Sequence, residues 1–442
     1  MTSEAKQNHR NPAGSALRLL HYLGALCSCS PVPVRCILAA AILTGCASFN
    51  PPVMDEKPFR QRAVTQTEGD VRVSATVLGA QETEALFGLP LYKKEIQPVW
   101  LEIENRSAHR MWFPQVSVDR DYFAPLEVAY MHHSGFSKAG KQRMDRYFHR
   151  HAFRSPIDPG GVRSGFVFTN LRLGTKAFNV EVIGDDHRIR TFTFLIPVAG
   201  LRVDHAEVDW DGLYRAGEKV ALDSLDEFKK VLEALPCCTT GADGSKKADP
   251  VNVVIVGDGN DVLYALLRSG WHETAAASSY SPTAQLPWEF RYQPVKSLYL
   301  FERAQDSAFR KSRSTLNERN QLRLWLSPFY YEGKNVWVGQ ISRIIRRSAW
   351  NKFVIEPDVD EARTYLLQDL WYAQAVLQYG YVKGTGVATI SEPRKSLHDD
   401  NYFTDGLRIV IWVSSEPVTF TEVGFVGWET PVADRRELLL GR

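Results

Sequence analysis

The chain has 442 residues, with 53 lysines and arginines against 51 aspartates and glutamates and a formal net charge of +2. So even a balance supplies no global field for a polyanion, which excludes nucleic acid as a partner. The hydrophobic content of 44% is ordinary for a globular chain, and the length suffices for two or three domains.

The most apolar run comes early, from Cys36 to Thr44, directly after Arg35. A membrane-spanning helix needs about 20 apolar residues, so this run is too short to span. A positive residue, a short apolar core and small residues at its end mark residues 1–45 as a secretory signal. Residues 1–31 are irregular for such a signal, and a start at Val32 or Val34 would make it conventional. The end of the run, Leu43-Thr44-Gly45-Cys46, resembles the lipobox of bacterial lipoproteins. That resemblance implies cleavage before Cys46, with diacylglycerol on its sulfur and an acyl chain on its amine. Several acyl chains, at about 0.8 kcal/mol per buried methylene, hold a protein firmly on a bilayer. Ala47, rather than an aspartate, follows the cysteine, which by the same resemblance implies the periplasmic face of the outer membrane. Of six cysteines, Cys27, Cys29 and Cys36 would leave with the signal. Cys237 and Cys238 remain, either as a vicinal disulfide, and so a possible redox pair, or as two thiols. With no second pair at zinc-ligand spacing, neither metal nor cofactor is expected.

Residues 46–70, with Pro51, Pro52 and Pro58 and little periodicity, read as a lipidated tether. Alternation follows. Val71, Val73, Ala75 and Val77 share one face, as do Val99, Leu101 and Ile103. Further strands are expected at Val116 to Val118, Leu126 to Tyr130, Gly165 to Thr169, Phe178 to Ile183 and Thr191 to Pro197. Short alternating strands between Gly, Pro, Asn and Asp predict an immunoglobulin-like β-sandwich over 71–204. A helix interrupts it at Lys141 to Arg154. Arg143, Arg146, Arg150 and Arg154 form one stripe there, and Met144, Phe148 and Ala152 another. The basic stripe is either a solvated face or a contact for anionic lipid headgroups. His132, His133, His149 and His151 have no accompanying carboxylate cluster, and residues two apart point different ways on a helix.

From 205 to 432 the pattern is mixed α/β, making the whole chain α+β with two domains. Ser224 and Glu227 form a capping box for a helix with Phe228, Val231, Leu232 and Leu235 on one face. Pro236 stops it. The run Val251 to Val256 is a strand buried on both faces. Gly257-Asp258-Gly259-Asn260 then turns into a helix over Val262 to Leu267. The third glycine of a dinucleotide fingerprint is missing, as are the lysine and hydroxyl of a P-loop, so the turn reads as structural. Leu322 to Leu326 and Val336 to Ile341 form a hairpin through Glu332-Gly333-Lys334-Asn335. A long helix follows, capped by Asp358 and Glu361, with Leu366, Leu370, Ala373 and Leu377 buried and Gly380 ending it. The acidic group Asp358, Asp360 and Glu361 serves either as helix capping or as acid/base chemistry. Thr404-Asp405-Gly406 leads into a last strand, Leu407 to Val413.

Several stretches of this half resemble the LssY C-terminal-like domain family, whose activity is unknown. They are "DPVNVVIVGDGNDVLYALLRSGW", "LYLFERAQDSAFRK", "ERNQLRLWL", "VWVGQISR", "EPDVDEAR" and "YFTDG", in that order. The resemblance implies envelope-associated work but assigns no reaction. It also implies histidine as a common residue at the positions of Gln321 and Phe353, and aspartate at that of Ile344. Relatives would then carry a polar site that this chain has partly lost, or those positions are structural. On the strand, Arg319, Gln321, Arg323 and Trp325 face one way, leaving Arg319 and Arg323 as candidate anion contacts. Two functions follow. One is a lipid-anchored binding or scaffolding module, held by acylated Cys46 among envelope proteins or anionic lipids. The other is an envelope hydrolase of a phosphorylated lipid or glycan, with Arg319 and Arg323 on the anion and Asp358, Asp360 or Asp405 as acid/base. The catalytic residues are not identified by any motif. Convergence of these groups on one pocket, or their dispersal, separates the two readings.

Overall fold

The computed structural model describes residues 47–244, 247–276, 289–312, 318–347, 353–397 and 399–431. The expected signal 1–45, with Cys27, Cys29 and Cys36, and the expected lipidation residue Cys46 lie outside the described residues. The architecture is mixed α+β, with more sheet than helix. Ser48 onward clusters as one compact unit.

The first half holds two antiparallel sheets. One contains β1 (Val64–Glu68), β2 (Val71–Val77), β3 (Ile96–Asn105) and β5 (Val162–Asn170), in the order β1-β2-β3-β5. The other contains β4 (Met111–Trp112), β6 (Gly174–Gly184) and β7 (Ile189–Val198), in the order β4-β6-β7. The alternating residues of β2 and β3 meet Phe178, Val180, Val182, Phe192 and Phe194 in a shared core. Period-two burial is therefore satisfied across the two sheets. The strand order differs from the immunoglobulin layout, in which the chain crosses to the second sheet after the second strand. Here β3 stays beside β2. The intervening segment explains this. It contains α2 (Ala80–Phe87), and Leu78, Phe87, Leu89 and Leu91 pack on the outer face of the same sheet, so the chain returns to the edge it left.

That outer face carries its own aromatic core, in which Trp100, Phe166 and Phe168 meet Phe87, Met144 and Phe148. The covering helices are α1 (Lys57–Arg62), α2, α3 (Pro125–Met131) and α4 (Lys138–His151). Three sequence expectations change here. The segment 46–70 is folded from Phe49 onward, since Phe49 is buried and 57–68 form α1 and β1. The expected strand Leu126 to Tyr130 is helix α3, because Pro125 opens its first turn and Glu127 accepts the backbone amide of Ala124. The expected strand Val116 to Val118 is a single 3₁₀ turn, Gln115–Ser117.

The second half is built on a ten-stranded sheet. Its central strands are β8 (Val253–Val256), β9 (Ser307–Ser312), β10 (Arg319–Tyr331), β11 (Lys334–Arg347), β12 (Val376–Lys383) and β13 (Leu407–Val413). They run in the order β9-β10-β11-β8-β13-β12. The β8–β13 pair is parallel and the β10–β11 pair antiparallel. Val253 and Ile255 face α6 (Gly259–Arg268) and α7 (Val359–Tyr372), whereas Val254 and Val256 face α5 (Leu225–Ala234). Both faces are covered, which is why β8 reads as an unbroken apolar run. The β10–β11 hairpin turns at Glu332 and Gly333, with φ of 48° and 75°, the positive values that a type I′ turn demands.

Helix α7 ends at Tyr372, not Gly380, and Leu377 lies on strand β12 rather than in a buried helical stripe. Gln374 in the left-handed region breaks the helix, and Val376 to Lys383 then pair with β13. Ser224 does precede α5, but its side chain makes no capping bond. Asp258 precedes α6 and pairs with Lys334 at 2.6 Å, so the glycine turn is occupied structurally. Cys237 and Cys238 are joined as a vicinal disulfide.

The two halves share polar stitches. The carboxylate of Glu273 accepts the backbone amide and hydroxyl of Thr175, and Arg172 donates to the Trp271 carbonyl at 2.8 Å. Among the described residues no helix is long and apolar enough to cross a membrane.

Candidate functional site

The residues singled out in the sequence divide among three environments. The first is a small cavity of about 220 Å³ where the ends of β9, β10 and β11 meet α7. Lys311, Arg319, Arg343 and Tyr365 line it, with Glu318, Asn320 and Ile344. Strand pairing sets this up, because Lys311 sits opposite Asn320, and Asn320 opposite Arg343. Arg343 and Lys311 stand over the Tyr365 ring at 5.1 and 5.7 Å, the arrangement in which a ring quadrupole attracts cations. Lys311 also meets Asp369 at 2.6 Å, and Arg343 donates to Asn320 at 3.1 Å. Arg319 stacks its guanidinium on Phe353 at 4.1 Å. Two cations over the Tyr365 ring, with Arg319 on Phe353 also lining the cavity, make a place where a small anion meets charge and planar donors.

Gln321, Ile344 and Phe353 gather around the same arginine. Ile344 is the direct partner of Arg319, Phe353 is its stacking platform, and Gln321 is the next residue on its side of β10. Of the three, Ile344 lines the cavity itself. In this chain two of the three are apolar, and Phe353 holds Arg319 by its ring face.

Arg323 belongs to a second environment. It is buried, donating to the Gln340 side chain at 2.7 Å and to the Lys296 carbonyl at 3.0 Å. Burial pulls its pKa down to about 10, partly offset by Asp249 and Asp204, which still leaves it charged at neutral pH. Buried, bonded to the protein and outside the cavity lining, it does not join Arg319 in an anion strip.

The carboxylates form the third environment. Asp358 accepts the Asp360 amide at 3.1 Å as the N-cap of α7, which is the capping alternative. Asp360 is fully buried, accepting from the Thr404 hydroxyl and the Asp405 amide, each at 2.8 Å. Asp405 is clamped by Arg363 through two bonds of 2.9 and 2.8 Å, and Arg363 lies 3.3 Å from Asp360. Burial raises the pKa of Asp360, opposed by Arg363 and reinforced by Asp405. The Tyr381 ring lies 5.4 Å from the same guanidinium. This is a closed ion cluster tying the start of α7 to the start of β13. Asp360 and Asp405 come together, but around Arg363 rather than around Arg319.

Sequence reasoning missed Lys311, Arg343, Tyr365 and Arg363. The signal for Arg363 was present, since it lies three residues after Asp360 on one helix face. Also unforeseen is a polar cleft of about 820 Å³ between the halves, lined by Lys176, Arg268 and His272 among others. Burial lowers the Lys176 pKa to about 7 and pushes that of His272 well down. Of the four histidines, His132 bonds the Val128 carbonyl and His133 bonds Asp145, each at 2.8 Å, while His151 packs on Tyr147.

Residues 230–407 match the family described as LssY C-terminus. The match begins within α5 and ends at the first residue of β13, so it spans the Arg319 cavity and the Arg363 cluster. No curated protein matches the chain.

Proposed function

We propose that the protein is a lipoprotein of the cell envelope, anchored through acylated Cys46 at the periplasmic face of the outer membrane. Its folded halves work as a binding or scaffolding body rather than as an enzyme. The observation that carries this is the Arg363 cluster. Two of the three carboxylates available for acid/base work, Asp360 and Asp405, are buried and bound to one arginine, and the third caps a helix. A general acid or base must reach the proton it moves, and these groups are turned inward. The Arg319 cavity offers charge without an adjacent carboxylate of that set, which suits retention of a small anion such as a phosphoryl headgroup.

The competing reading is a hydrolase acting on a phosphorylated lipid or glycan. One experiment separates the two. Purified lipidated protein is incubated with phosphatidic acid and with a soluble phosphomonoester, and glycerol phosphate binding is measured by calorimetry. Binding that weakens at least tenfold in Arg319→Ala, with no phosphate released, is the expected result. Release of phosphate that disappears in Asp358→Asn would replace binding by hydrolysis. The anchor is tested separately, because Cys46→Ser should remove the acyl groups and free the protein from pelleted envelopes.

A further inference from the structure

The chain just after Cys46 is fixed to one particular helix. Phe49 is buried against Phe136 and Tyr147. Arg143 of α4 donates from Nε to the Phe49 carbonyl at 3.0 Å and from its terminal nitrogen to the Ser48 hydroxyl. Cys46 stands two residues before Ser48 in the sequence, and two residues of chain reach at most about 7 Å. An acyl group on that cysteine is therefore leashed to the neighbourhood of α4, with no long spacer between.

The outer side of α4 suits what such an anchor would bring close. The helix carries five lysines and arginines against one aspartate. Asp145, the aspartate, is held by His133 at 2.8 Å. Arg146 and Arg150 point outward and share a shallow groove with Leu126 of α3. Leu126 is 50% exposed, and Tyr130, one turn further along α3, is 75% exposed. Glu127, the acid between them, is turned back to the Ala124 amide. Arginines flanking an exposed aliphatic chain and an exposed tyrosine match a bilayer boundary. There, headgroup phosphates meet the cations while amphipathic side chains settle at the level of the headgroups.

We propose that the α3–α4 face lies against anionic headgroups of the membrane that holds Cys46. Arg146 and Arg150 contact phosphate, and Leu126 and Tyr130 enter the interfacial layer. The basic stripe thus works with the anchor to fix the protein's orientation on the bilayer. This rests on the anchoring proposed above, and its test keeps the two apart.

Lipidated full-length protein carrying Leu126→Cys, labelled with an environment-sensitive dye, is reconstituted into vesicles of neutral phosphatidylcholine, with or without one third phosphatidylglycerol. The same dye at Ile189→Cys, on the exposed start of β7, serves as control. Co-sedimentation with both vesicle types reports the anchor. A blue shift at position 126 in the anionic vesicles alone, absent at 189, is expected. It should vanish in Arg146→Glu/Arg150→Glu and in about 1 M salt, where the screening length falls to roughly 3 Å. Neutralising the pair in Arg146→Gln/Arg150→Gln should weaken headgroup contact by roughly 30-fold, at about fivefold per charge, and the charge reversal should weaken it further. Protein that sediments but shows the same emission at 126 in both vesicles overturns the docked face and leaves the anchor standing. Protein that sediments with neither overturns both.

Discussion

Replacing Arg363 by methionine is the sharpest probe of the structure. The guanidinium is almost wholly buried, as are the Asp360 and Asp405 side chains it serves. The substitution keeps the apolar stem but removes the guanidinium, with two bonds to Asp405, one to the Leu407 carbonyl and the ion pair to Asp360. Two carboxylates that share hydrogen bonds are then left in the core without their cation. Breaking a buried pair from one side costs about 3–5 kcal/mol, and this cluster also ties the start of α7 to the start of β13. Urea unfolding followed by tryptophan fluorescence should show a loss of that size at pH 7. The loss should shrink at lower pH, because protonating the stranded acids removes the uncompensated charge. The triple variant Arg363→Met/Asp360→Asn/Asp405→Asn should recover most of it, since no uncompensated charge remains, the amide oxygens at 360 and 405 still accept the Asp405 and Leu407 amides, and the new NH2 at 360 faces the Thr404 hydroxyl, which can turn to accept. A loss below about 1 kcal/mol in the single variant, or a triple variant as unstable as the single, would refute the account of Arg363 as a structural neutraliser.

Three further outcomes follow from the geometry. Asp358→Ala removes the α7 cap and should cost about 1 kcal/mol in the same urea assay, far less than Arg363→Met. In Lys176 the folded pKa, about 7, lies below the ordinary value of 10.5. Between them the unfolded chain binds more protons, so stability should rise from about pH 7 to 10.5 and fall again as pH is lowered through that window. Thermal melts across this range should lose that slope in Lys176→Met. Gly165→Ala would place a methyl 2.6 Å from the backbone nitrogen of Phe153, and overpacking of this kind costs about 1–3 kcal/mol or more. A melting temperature unchanged by the alanine would contradict the close approach of β5 to the end of α4.

What the sequence made legible was periodicity. The alternation at Val71 to Val77 and at Val99 to Ile103, the unbroken run at β8 and the helix start at Asp358 each reappear as expected, because burial on one or both faces writes itself into spacing. The errors arose where spacing is ambiguous. Leu126 to Tyr130 has the length of a strand, and only Pro125 and Glu127 marked it as the first turns of a helix. Leu377 continued a helical stripe in the sequence, yet Gln374 in the left-handed region starts a new element there. Strand order in the first half was not legible, since nothing local states which edge a returning strand will join. The site was legible in its parts and not in its assembly. Arg319 and Asp405 were visible as charges, but their partners Phe353 and Arg363 come together through pairings between distant segments, and these decide that one arginine lines a cavity while the other neutralises acids.

The parallel pairing of Val253–Val256 with Leu407–Val413 has a consequence for biosynthesis. More than half of the second sheet, with α6 and α7, is made between those two strands, and β8 sits between β11 and β13. The flank that β8 offers to Leu407–Val413 stays vacant until those residues have been made. This half must therefore stay open until its closing strand arrives. A premature stop ahead of residue 407 would remove a middle plank of the sheet rather than trim its edge.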